Sequence, residues 1–423
     1  MVTAPPAVDL VVLGLGYVGL PLAYEASGAG LVVRGFDPDT DVVEGLAAGR
    51  SHVDDLSDAD IEVMHDRGFQ ATGEPSVLDT ATVAVICVPT PLSNDGGPDL
   101  TAVRAATRTV AEHLHPGMVV ILESTTYPGT TDEIVRPILE ESGLVVGVDV
   151  NLAFSPERID PGNPTYGLKN TPKVVGGHTP QCTDRAAAFY RRFVDTVVAA
   201  RGTREAEMAK LLENTYRHVN IALVNEMSRF CHELDIDLWD VIRCAATKPF
   251  GFQAFYPGPG VGGHCIPIDP NYLSYKVRTL GYPFRFVELA QEINAGMPAY
   301  VVHRAMEILN DQSKAMRGST VLLLGVTYKP DIADQRESPA SPVARQLMAL
   351  GARVVYHDPH VPVWNVAGGE LRRVDDLDAE LGAADLTILL QDHSSYDLQD
   401  VTAKAQLFFD TRGRAPDPSV ERL

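Results

Sequence analysis

Short hydrophobic runs alternate with amphipathic segments in the first half of the chain. The hydrophobic runs predict five β-strands, at Asp9–Leu13, Leu31–Phe36, Thr82–Val88, Val119–Glu123 and Val150–Phe154. The segments between them have helical periodicity and predict helices at Leu20–Ala29, Leu100–Leu114 and Thr131–Glu141. Strands that alternate with helices form parallel sheets covered on both faces, so this part of the chain predicts an α/β domain.

The pattern changes near Glu205. From there to Leu234 the chain has no glycine or proline, which predicts one helix roughly 45 Å long at 1.5 Å per residue. Strand–helix alternation resumes after Ser319 and predicts strands at Val321–Val326, Arg353–His357, Leu386–Leu390 and Leu407–Phe409. We therefore predict two Rossmann-like, doubly wound parallel-sheet domains joined by a helical domain, with limits at residues 1–200, 201–315 and 316–423.

Composition restricts the class of protein. Hydrophobic residues make up 45% of the chain and charged residues 22%, and the formal net charge of −21 argues against a nucleic-acid partner. No hydrophobic run approaches the ~20 residues that span a bilayer, and residues 1–7 lack the pattern of a signal peptide. The five cysteines include no C-x-x-C pair, and His113, His115 and His218 have no metal-ligand spacing with other ligands. We expect a cytoplasmic protein with neither membrane attachment nor a metal ion.

A glycine-rich turn follows the first predicted strand. Gly14, Gly16 and Gly19 have the G-x-G-x-x-G spacing, in which the glycines allow a tight turn, close approach of a pyrophosphate and close helix packing. Asp37 ends the second predicted strand, where a carboxylate accepts hydrogen bonds from a ribose diol and repels a 2′-phosphate. This pattern predicts binding of NAD rather than NADP. The alternative for Asp37 is a surface turn residue.

Two further strands end in polar or proline-containing segments. Pro89 and Thr90 follow one strand, and Ser124 and Thr125 follow the next. Because α/β sheets bind ligands at the carboxyl ends of their strands, these residues are candidates for the cofactor site. Alternatively, the prolines end a strand and the two hydroxyls cap a helix.

Cys265 is the cysteine whose surroundings suggest chemistry. It lies in the glycine- and proline-rich stretch Pro257–Pro270, just before a predicted helix, where a thiol can be exposed and have a lowered pKa. Cys87, Cys231 and Cys244 fall in predicted strands or helices and are interpreted as structural. His264 is the neighbour of Cys265, but adjacent side chains in an extended loop usually point apart.

Other polar residues could assist such chemistry. Lys210, Asn214 and Arg217 share one face of the long helix, and the first two could bind an alkoxide or carbonyl oxygen. The alternative is a solvated face. Glu157 follows a predicted strand and could act as a base or acid, or pair with Arg158.

The glycine turn, Lys210–Asn214, Gly258–Asp269 and the stretch from Gly325 to Ser338 together resemble the UDP-glucose/UDP-mannuronate dehydrogenase family over nearly the whole chain. The resemblance implies an N-terminal NAD domain, a central helix that forms a homodimer and a C-terminal domain that binds a nucleotide sugar. It implies that Cys265 is the nucleophile, that Lys210 and Asn214 stabilise oxyanions, and that Glu157 is the acid/base. Asp269 and Thr125 would position a water. Further cofactor contacts are implied at Tyr17, Val18, Ser124, Thr125 and Arg336, and substrate contacts at Glu157, Arg158, Lys210, Asn214, Arg217, Tyr256, Gly260, Gly262 and Lys329.

The implied reaction is a four-electron oxidation of the C6 hydroxymethyl group through a thiohemiacetal and a thioester on Cys265. Glucose-type members often carry a second carboxylate where this chain has Pro161. Arg158 and Arg217 could instead donate to the carbonyl of an acetamido group, so the substrate predicted is a UDP-N-acetylhexosamine, with UDP-GlcNAc ahead of UDP-ManNAc. Alternatives are a UDP-glucose 6-dehydrogenase, a two-electron hydroxyacid dehydrogenase, which would have no use for Cys265 or a third domain, and a non-catalytic sensor of NAD or nucleotide sugars.

Overall fold

The computed structural model describes residues 8–53, 55–93, 97–159, 163, 165–263, 266, 268–417 and 419–423. The chain forms two compact units. Unit 1 comprises residues 1–213 and 271–282, and unit 2 comprises residues 214–270 and 283–423.

Unit 1 contains one eight-stranded sheet. Its strands are β1 (Val8–Leu13), β2 (Val33–Phe36), β3 (Gln70–Thr72), β4 (Ala81–Ile86), β5 (Val119–Leu122), β6 (Asn151–Phe154), β7 (Lys173–Gly177) and β8 (Val197–Ala199), in the order β3-β2-β1-β4-β5-β6-β7-β8. Neighbouring strands are parallel except for the antiparallel pair β6–β7. The predicted strands are thus confirmed, whereas the antiparallel pair is a departure from the fully parallel sheet.

Both faces of this sheet are buried. Along β1, Leu10 and Val12 pack into one hydrophobic cluster and Val11 and Leu13 into another, because successive side chains point to opposite faces. This explains why the strand is a continuous hydrophobic run rather than an alternating one. The helices before the long central helix are α1 (Gly19–Gly28), α2 (Thr40–Ala47), α3 (Asp58–Asp66), α4 (Thr101–Glu112), α5 (Arg136–Glu140) and α6 (Pro180–Tyr190), with a 3₁₀-helix at Pro75–Thr80 and a π-helix at Thr131–Val135.

The long helix is α7 (Thr203–Glu233), close to the predicted limits. After it come α8 (Leu238–Ala245), α9 (Asp269–Thr279) and α10 (Arg285–Asp311), which contains Pro298. None of the helices in the described ranges combines the length and hydrophobicity that a transmembrane segment needs.

Unit 2 contains a five-stranded parallel sheet. Its strands are β9 (Thr320–Leu324), β10 (Arg353–His357), β13 (Leu386–Leu389), β14 (Phe408–Asp410) and β15 (Glu421–Arg422), in the order β10-β9-β13-β14-β15. A separate antiparallel hairpin, β11 (Val363–Val366) and β12 (Gly369–Arg372), was not predicted. The accompanying helices are α11 (Ala340–Ala349), α12 (Leu377–Ala383) and α13 (Leu398–Lys404). As in unit 1, alternate residues of the interior strand β9 enter different hydrophobic clusters, so both faces of the sheet are covered.

Candidate active site

The glycine-rich turn has the geometry of a pyrophosphate cradle. Gly14 has a φ of +90°, and a Cβ there would lie 2.8 Å from the carbonyl oxygen of Cys87. A Cβ at Gly19 would clash with the carbonyl oxygen of Gly14, so the third glycine allows α1 to pack against the turn. At Gly16, by contrast, no described protein atom beyond the two adjoining residues lies within 4 Å of the Cβ position. This glycine therefore leaves the backbone open to a ligand.

Asp37 is tied to this turn. Its Oδ2 accepts a hydrogen bond from the N–H of Leu15 at 2.9 Å, and its Oδ1 accepts one from Asp39 N–H at 3.0 Å. The second contact is that of a turn residue, but the first holds the carboxylate beside the glycine turn. The described side chains provide no cap for the N-terminus of α1, so its N–H groups are suited to a phosphate. These residues fit NAD.

We expect Gly16→Ala to fold normally but to weaken NAD binding by about tenfold or more, because the methyl group enters the space that a pyrophosphate would occupy. Calorimetric titration with NAD, together with thermal unfolding, measures both effects. Gly19→Ala is the matched comparison, and it should lose stability as well as binding because its Cβ meets the carbonyl of Gly14. Unchanged NAD affinity in Gly16→Ala would contradict this role.

The ends of β4 and β5 are linked by side chains. The hydroxyl of Ser124 donates to the carbonyl oxygen of Val88 at 2.7 Å, and the hydroxyl of Tyr272 donates to that of Thr90. The next helical segment begins only at Thr131, so the helix-capping alternative for Ser124 is wrong. Pro89 is exposed, and Tyr17 in the glycine turn is 38% exposed.

Lys210 is buried, which excludes the solvated alternative. Only 7% of the residue is exposed, and Nζ donates a hydrogen bond to Thr125 Oγ1 at 2.5 Å. One turn earlier on α7, Glu207 accepts hydrogen bonds from the N–H groups of Gly129 and Thr131. Burial raises the pKa of Glu207 to about 7 despite these hydrogen bonds. Two side chains of α7 thus hold the segment that follows β5.

Glu157 belongs to a buried ionic cluster. Its Oε2 lies 3.5 Å from Nζ of Lys173, which also pairs with Glu123 at 2.9 Å. The hydroxyl of Tyr190 donates to the other oxygen of Glu123. Sequence reasoning missed Lys173 and Tyr190, because the members of the cluster lie far apart in the chain. The signal available was a lysine directly before the hydrophobic pair Val174-Val175.

The guanidinium of Arg158 is engaged by groups other than the carboxylate of Glu157. Its guanidinium contacts Glu213 at 2.8 Å and donates to the carbonyl of Pro172 at 2.7 Å. Arg217 is exposed and makes no hydrogen bond or ion pair with another described residue. Of the two arginines, Arg217 is therefore the better candidate for a substrate contact.

In unit 2, Asn214 and Asp269 form a pair. Nδ2 of Asn214 donates to Oδ2 of Asp269 at 2.5 Å, and Asp269 is 2% exposed at the start of α9. A carboxylate accepts hydrogen bonds but does not donate them when ionised, so it orients the amide with its NH₂ group towards Asp269.

The described part of the cysteine loop packs against the segment after β9. Cβ atoms at Gly262 and Gly263 would lie 2.7 Å and 2.9 Å from atoms of Tyr328, and a Cβ at Gly260 would lie 3.1 Å from Pro339. These glycines are therefore needed for close packing within unit 2. His264, Cys265 and Pro267 lie outside the described residues.

Three further predicted ligand contacts lie in unit 2. Tyr256 stacks on Trp239 with ring centroids 5.7 Å apart and remains 54% exposed. Arg336 pairs with Asp334 at 2.6 Å. The backbone carbonyl of Lys329 accepts a hydrogen bond from the hydroxyl of Thr327.

One group of potential metal ligands occurs among the described residues, formed by Asp331, His360 and His393. Both ring nitrogens of His393 are already used, because Nδ1 accepts from Asp331 N–H at 2.9 Å and Nε2 lies 3.0 Å from Asp358. Hydrogen bonding within the protein accounts for the position of His393, and we assign no metal to the group.

Comparison with known proteins agrees with a cofactor site in unit 1 and a second α/β domain in unit 2. Models of the UDP-glucose/GDP-mannose dehydrogenase family match residues 8–194 as its NAD binding domain, 204–296 as its central domain and 322–416 as its UDP binding domain. The chain belongs to this family. It is an NAD-dependent oxidoreductase, and neither the hydroxyacid dehydrogenase nor the non-catalytic alternative is favoured.

Among its relatives is the UDP-N-acetyl-D-mannosamine dehydrogenase of Yersinia pestis, 36% identical over 95% of this chain and 98% of that protein. The UDP-N-acetyl-D-glucosamine 6-dehydrogenase of Pseudomonas aeruginosa is 36% identical over 83% of this chain and 82% of that protein. A solved UDP-D-ManNAc dehydrogenase from Pyrococcus horikoshii is 32% identical, with a TM-score of 0.88 and 98% coverage of both chains. The family predicted from the motifs is therefore confirmed.

Proposed function

We propose that the protein oxidises the C6 hydroxymethyl group of a UDP-N-acetylhexosamine to a carboxylate, with two NAD molecules used in turn. The observation that carries the proposal is the buried ammonium of Lys210 at the hydroxyl of Thr125. Thr125 follows β5, at the same edge of the sheet as the glycine turn after β1, because the strands from β1 through β4 to β5 run parallel. A buried cation at the cofactor edge is suited to stabilising a developing alkoxide.

The residues divide the chemistry between them. NAD, when bound, accepts hydride, and the glycine turn and Asp37 would hold it. Lys210 and the amide of Asn214 donate hydrogen bonds to the substrate oxygen as negative charge develops on it. The thiolate of Cys265 adds to the aldehyde carbon and the π electrons of the C=O bond move to oxygen, which gives a thiohemiacetal whose hydrogen on carbon can leave as hydride. Thr125 and Asp269 position the water that hydrolyses the thioester, and Glu157 accepts its proton.

We also propose a homodimer formed through α7. Tyr216, Leu223 and Phe230 are spaced by seven residues, so they share one face of the helix, and each is 46–53% exposed. Such a row of exposed hydrophobic side chains is typical of an interface. The domain limits at residues 200 and 315 and the cytoplasmic location remain predictions. The three family matches support the first, and the absence of a C-x-x-C pair supports the second.

The proposed reaction should yield about two NADH and one uronate for each nucleotide sugar consumed, because the chain has one cofactor turn and a thiol that retains the aldehyde. Parallel quantification of NADH by absorbance and of the acid by mass spectrometry checks this ratio. One NADH per sugar, with a free aldehyde or ketone as the final product, would contradict the proposal.

We expect kcat/KM to be at least about tenfold higher for UDP-GlcNAc or UDP-ManNAc than for UDP-glucose. A site built to bind the carbonyl of an acetamido group has a hydrogen-bond donor that stays unpaired when the hydroxyl of UDP-glucose replaces that group. Arg217→Ala should reduce this preference, whereas Arg158→Ala serves as the comparison because Arg158 is already paired with Glu213. Preference for UDP-glucose in the wild type would exclude the N-acetylhexosamine assignment. The order of the two epimers, with UDP-GlcNAc first, stays a prediction.

A further inference from the structure

The ionic cluster of Glu123, Lys173, Glu157 and Tyr190 has features that fold stability alone does not require. The side chains of Lys173 and Glu123 are 5% and 0% exposed, and that of Glu157 is 10% exposed. Lysine and glutamate are almost never so buried without partners, and a buried ion pair often contributes less to stability than hydrophobic side chains of similar volume. The arrangement of the partners indicates a role in the reaction in addition to one in stability.

Both carboxylate oxygens of Glu123 have partners within the cluster. Lys173 Nζ lies 2.9 Å from its Oε2, and Tyr190 donates its hydroxyl to Oε1. Lys173 Nζ also lies 5.3 Å from the centre of the Tyr190 ring. Each oxygen of Glu123 therefore has a protein partner, and its role is to fix Lys173 and to offset its charge.

Glu157 is held differently. Its Oε1 accepts hydrogen bonds from the N–H groups of Arg158 at 2.6 Å and Ile159 at 2.5 Å. These two bonds fix the orientation of the carboxylate. Its Oε2 faces the ammonium of Lys173 only at 3.5 Å, a distance at the limit of a hydrogen bond. Oε2 is thus the oxygen with capacity to accept a proton from another molecule.

We propose that Lys173, balanced by Glu123, is a positioning residue that holds the carboxylate of Glu157 oriented as the base for thioester hydrolysis. This inference rests on the proposed function. In the step concerned, the water oxygen bonds to the thioester carbon and the water proton passes to Oε2 of Glu157. The C–S bond breaks and its electron pair leaves on the sulfur of Cys265, so nothing is oxidised or reduced.

The charges around Lys173 explain why both partners are needed. Burial lowers the pKa of the Lys173 ammonium, but Glu123 and Glu157 outweigh it and hold that pKa above its usual value. Among the described residues, the other titratable groups facing it are the phenol of Tyr190 and the thiol of Cys87, whose pKa values burial raises well above their usual range. Both stay neutral near pH 7. Burial also raises the pKa of Glu123, while the Lys173 ammonium lowers it, so the Lys173 ammonium is the positive charge that the two carboxyl groups share.

Two variants should therefore shift the pH–rate profile of thioester hydrolysis in opposite directions. The part concerned is the acid limb, where the rate falls as the pH falls. Lys173→Met leaves two buried carboxylates without a cation, so Glu157 takes up a proton more readily and the limb moves up by about one pH unit or more. Glu123→Gln leaves Lys173 acting on Glu157 alone, so the limb moves down. A purely structural role would lower the rate in both variants without opposite shifts.

Rapid mixing with a UDP-N-acetylhexosamine and excess NAD isolates the hydrolysis step. In Lys173→Met near pH 7, about two NADH per site should form in a burst followed by a slow phase, because both hydride transfers precede hydrolysis. Mass spectrometry after acid quenching should detect the acyl-enzyme. Arg192→Met is the matched control, since it removes the same charge from an exposed ion pair with Asp9 in the same unit.

The outcomes separate this inference from the proposed function. If the acid limbs of Lys173→Met and Glu123→Gln stay in place, or move in the same direction, the role of Lys173 is overturned. Turnover by the wild type would still support the proposed reaction in that case. A wild type that forms no NADH with any nucleotide sugar overturns both. If Lys173→Met does not fold, the isosteric Glu123→Gln decides alone, because only a downward shift agrees with the inference.

Discussion

Replacing Cys265 by alanine is expected to reduce conversion of the nucleotide sugar to its acid to background, while NAD and the nucleotide sugar still bind. The reason is chemical. An aldehyde has no hydride that can be transferred until a nucleophile adds to its carbon, and the thiolate is the group proposed to add. Net NADH formation and acid production, measured together with calorimetric binding of both ligands, check the prediction.

Cys244→Ala is the appropriate control. Cys244 lies exposed on α8, so it is the described thiol most open to reagents, and its loss should change stability by no more than about 0.5 kcal/mol. Cys87 is a poorer nucleophile, because burial and the nearby Glu123 raise the pKa of its thiol well above the usual range. Substantial acid production by Cys265→Ala would exclude the covalent mechanism.

The strands buried on both faces were the part of the fold most readily predicted. Continuous hydrophobic runs such as Val119–Leu122 are distinct in sequence, and their alternation with helices determines a parallel sheet. Strand β7 was not predicted, because it begins with Lys173 and ends with Gly176 and Gly177, which are uncommon in strands. Those glycines are required because their Cβ atoms would clash with backbone atoms of Gly202 and Thr183.

The candidate site was predictable to the extent that its residues lie in local motifs. The glycine turn and Asp37 follow from their positions after two strands, and the structure brings the Asp37 carboxylate to the N–H of Leu15. The ionic cluster could not be predicted in this way. Lys173 contacts Glu123, which is 50 residues away in the chain, and no local pattern encodes that pairing.

The interpretation of the arginines required the structure for the same reason. Sequence placed Arg158 and Arg217 equally as candidates for the acetamido group, with ion pairs as the alternative. The ion pair between Arg158 and Glu213 joins residues 55 positions apart, and only the folded chain distinguishes the engaged arginine from the exposed one.

Lys210→Ala should lower kcat by about 10²- to 10³-fold and change KM little, because its ammonium is proposed to act on an oxygen that becomes negative only as hydride leaves the carbon. Burial strengthens that interaction, since few water molecules screen a residue that is 7% exposed. Steady-state kinetics with saturating NAD separates the two constants. A large rise in KM at unchanged kcat would instead assign Lys210 to ground-state binding.

Two further variants make this result specific. Thr125→Val removes the hydroxyl that accepts the hydrogen bond from Lys210, so it should cause a smaller loss of kcat than Lys210→Ala. In the double variant, the increase in activation free energy should be less than the sum of the increases in the two single variants. Lys404→Ala, which removes an exposed ammonium paired with Asp378 and Asp400, should leave both constants unchanged. Full additivity of the first pair would mean that Thr125 does not position the Lys210 ammonium for catalysis.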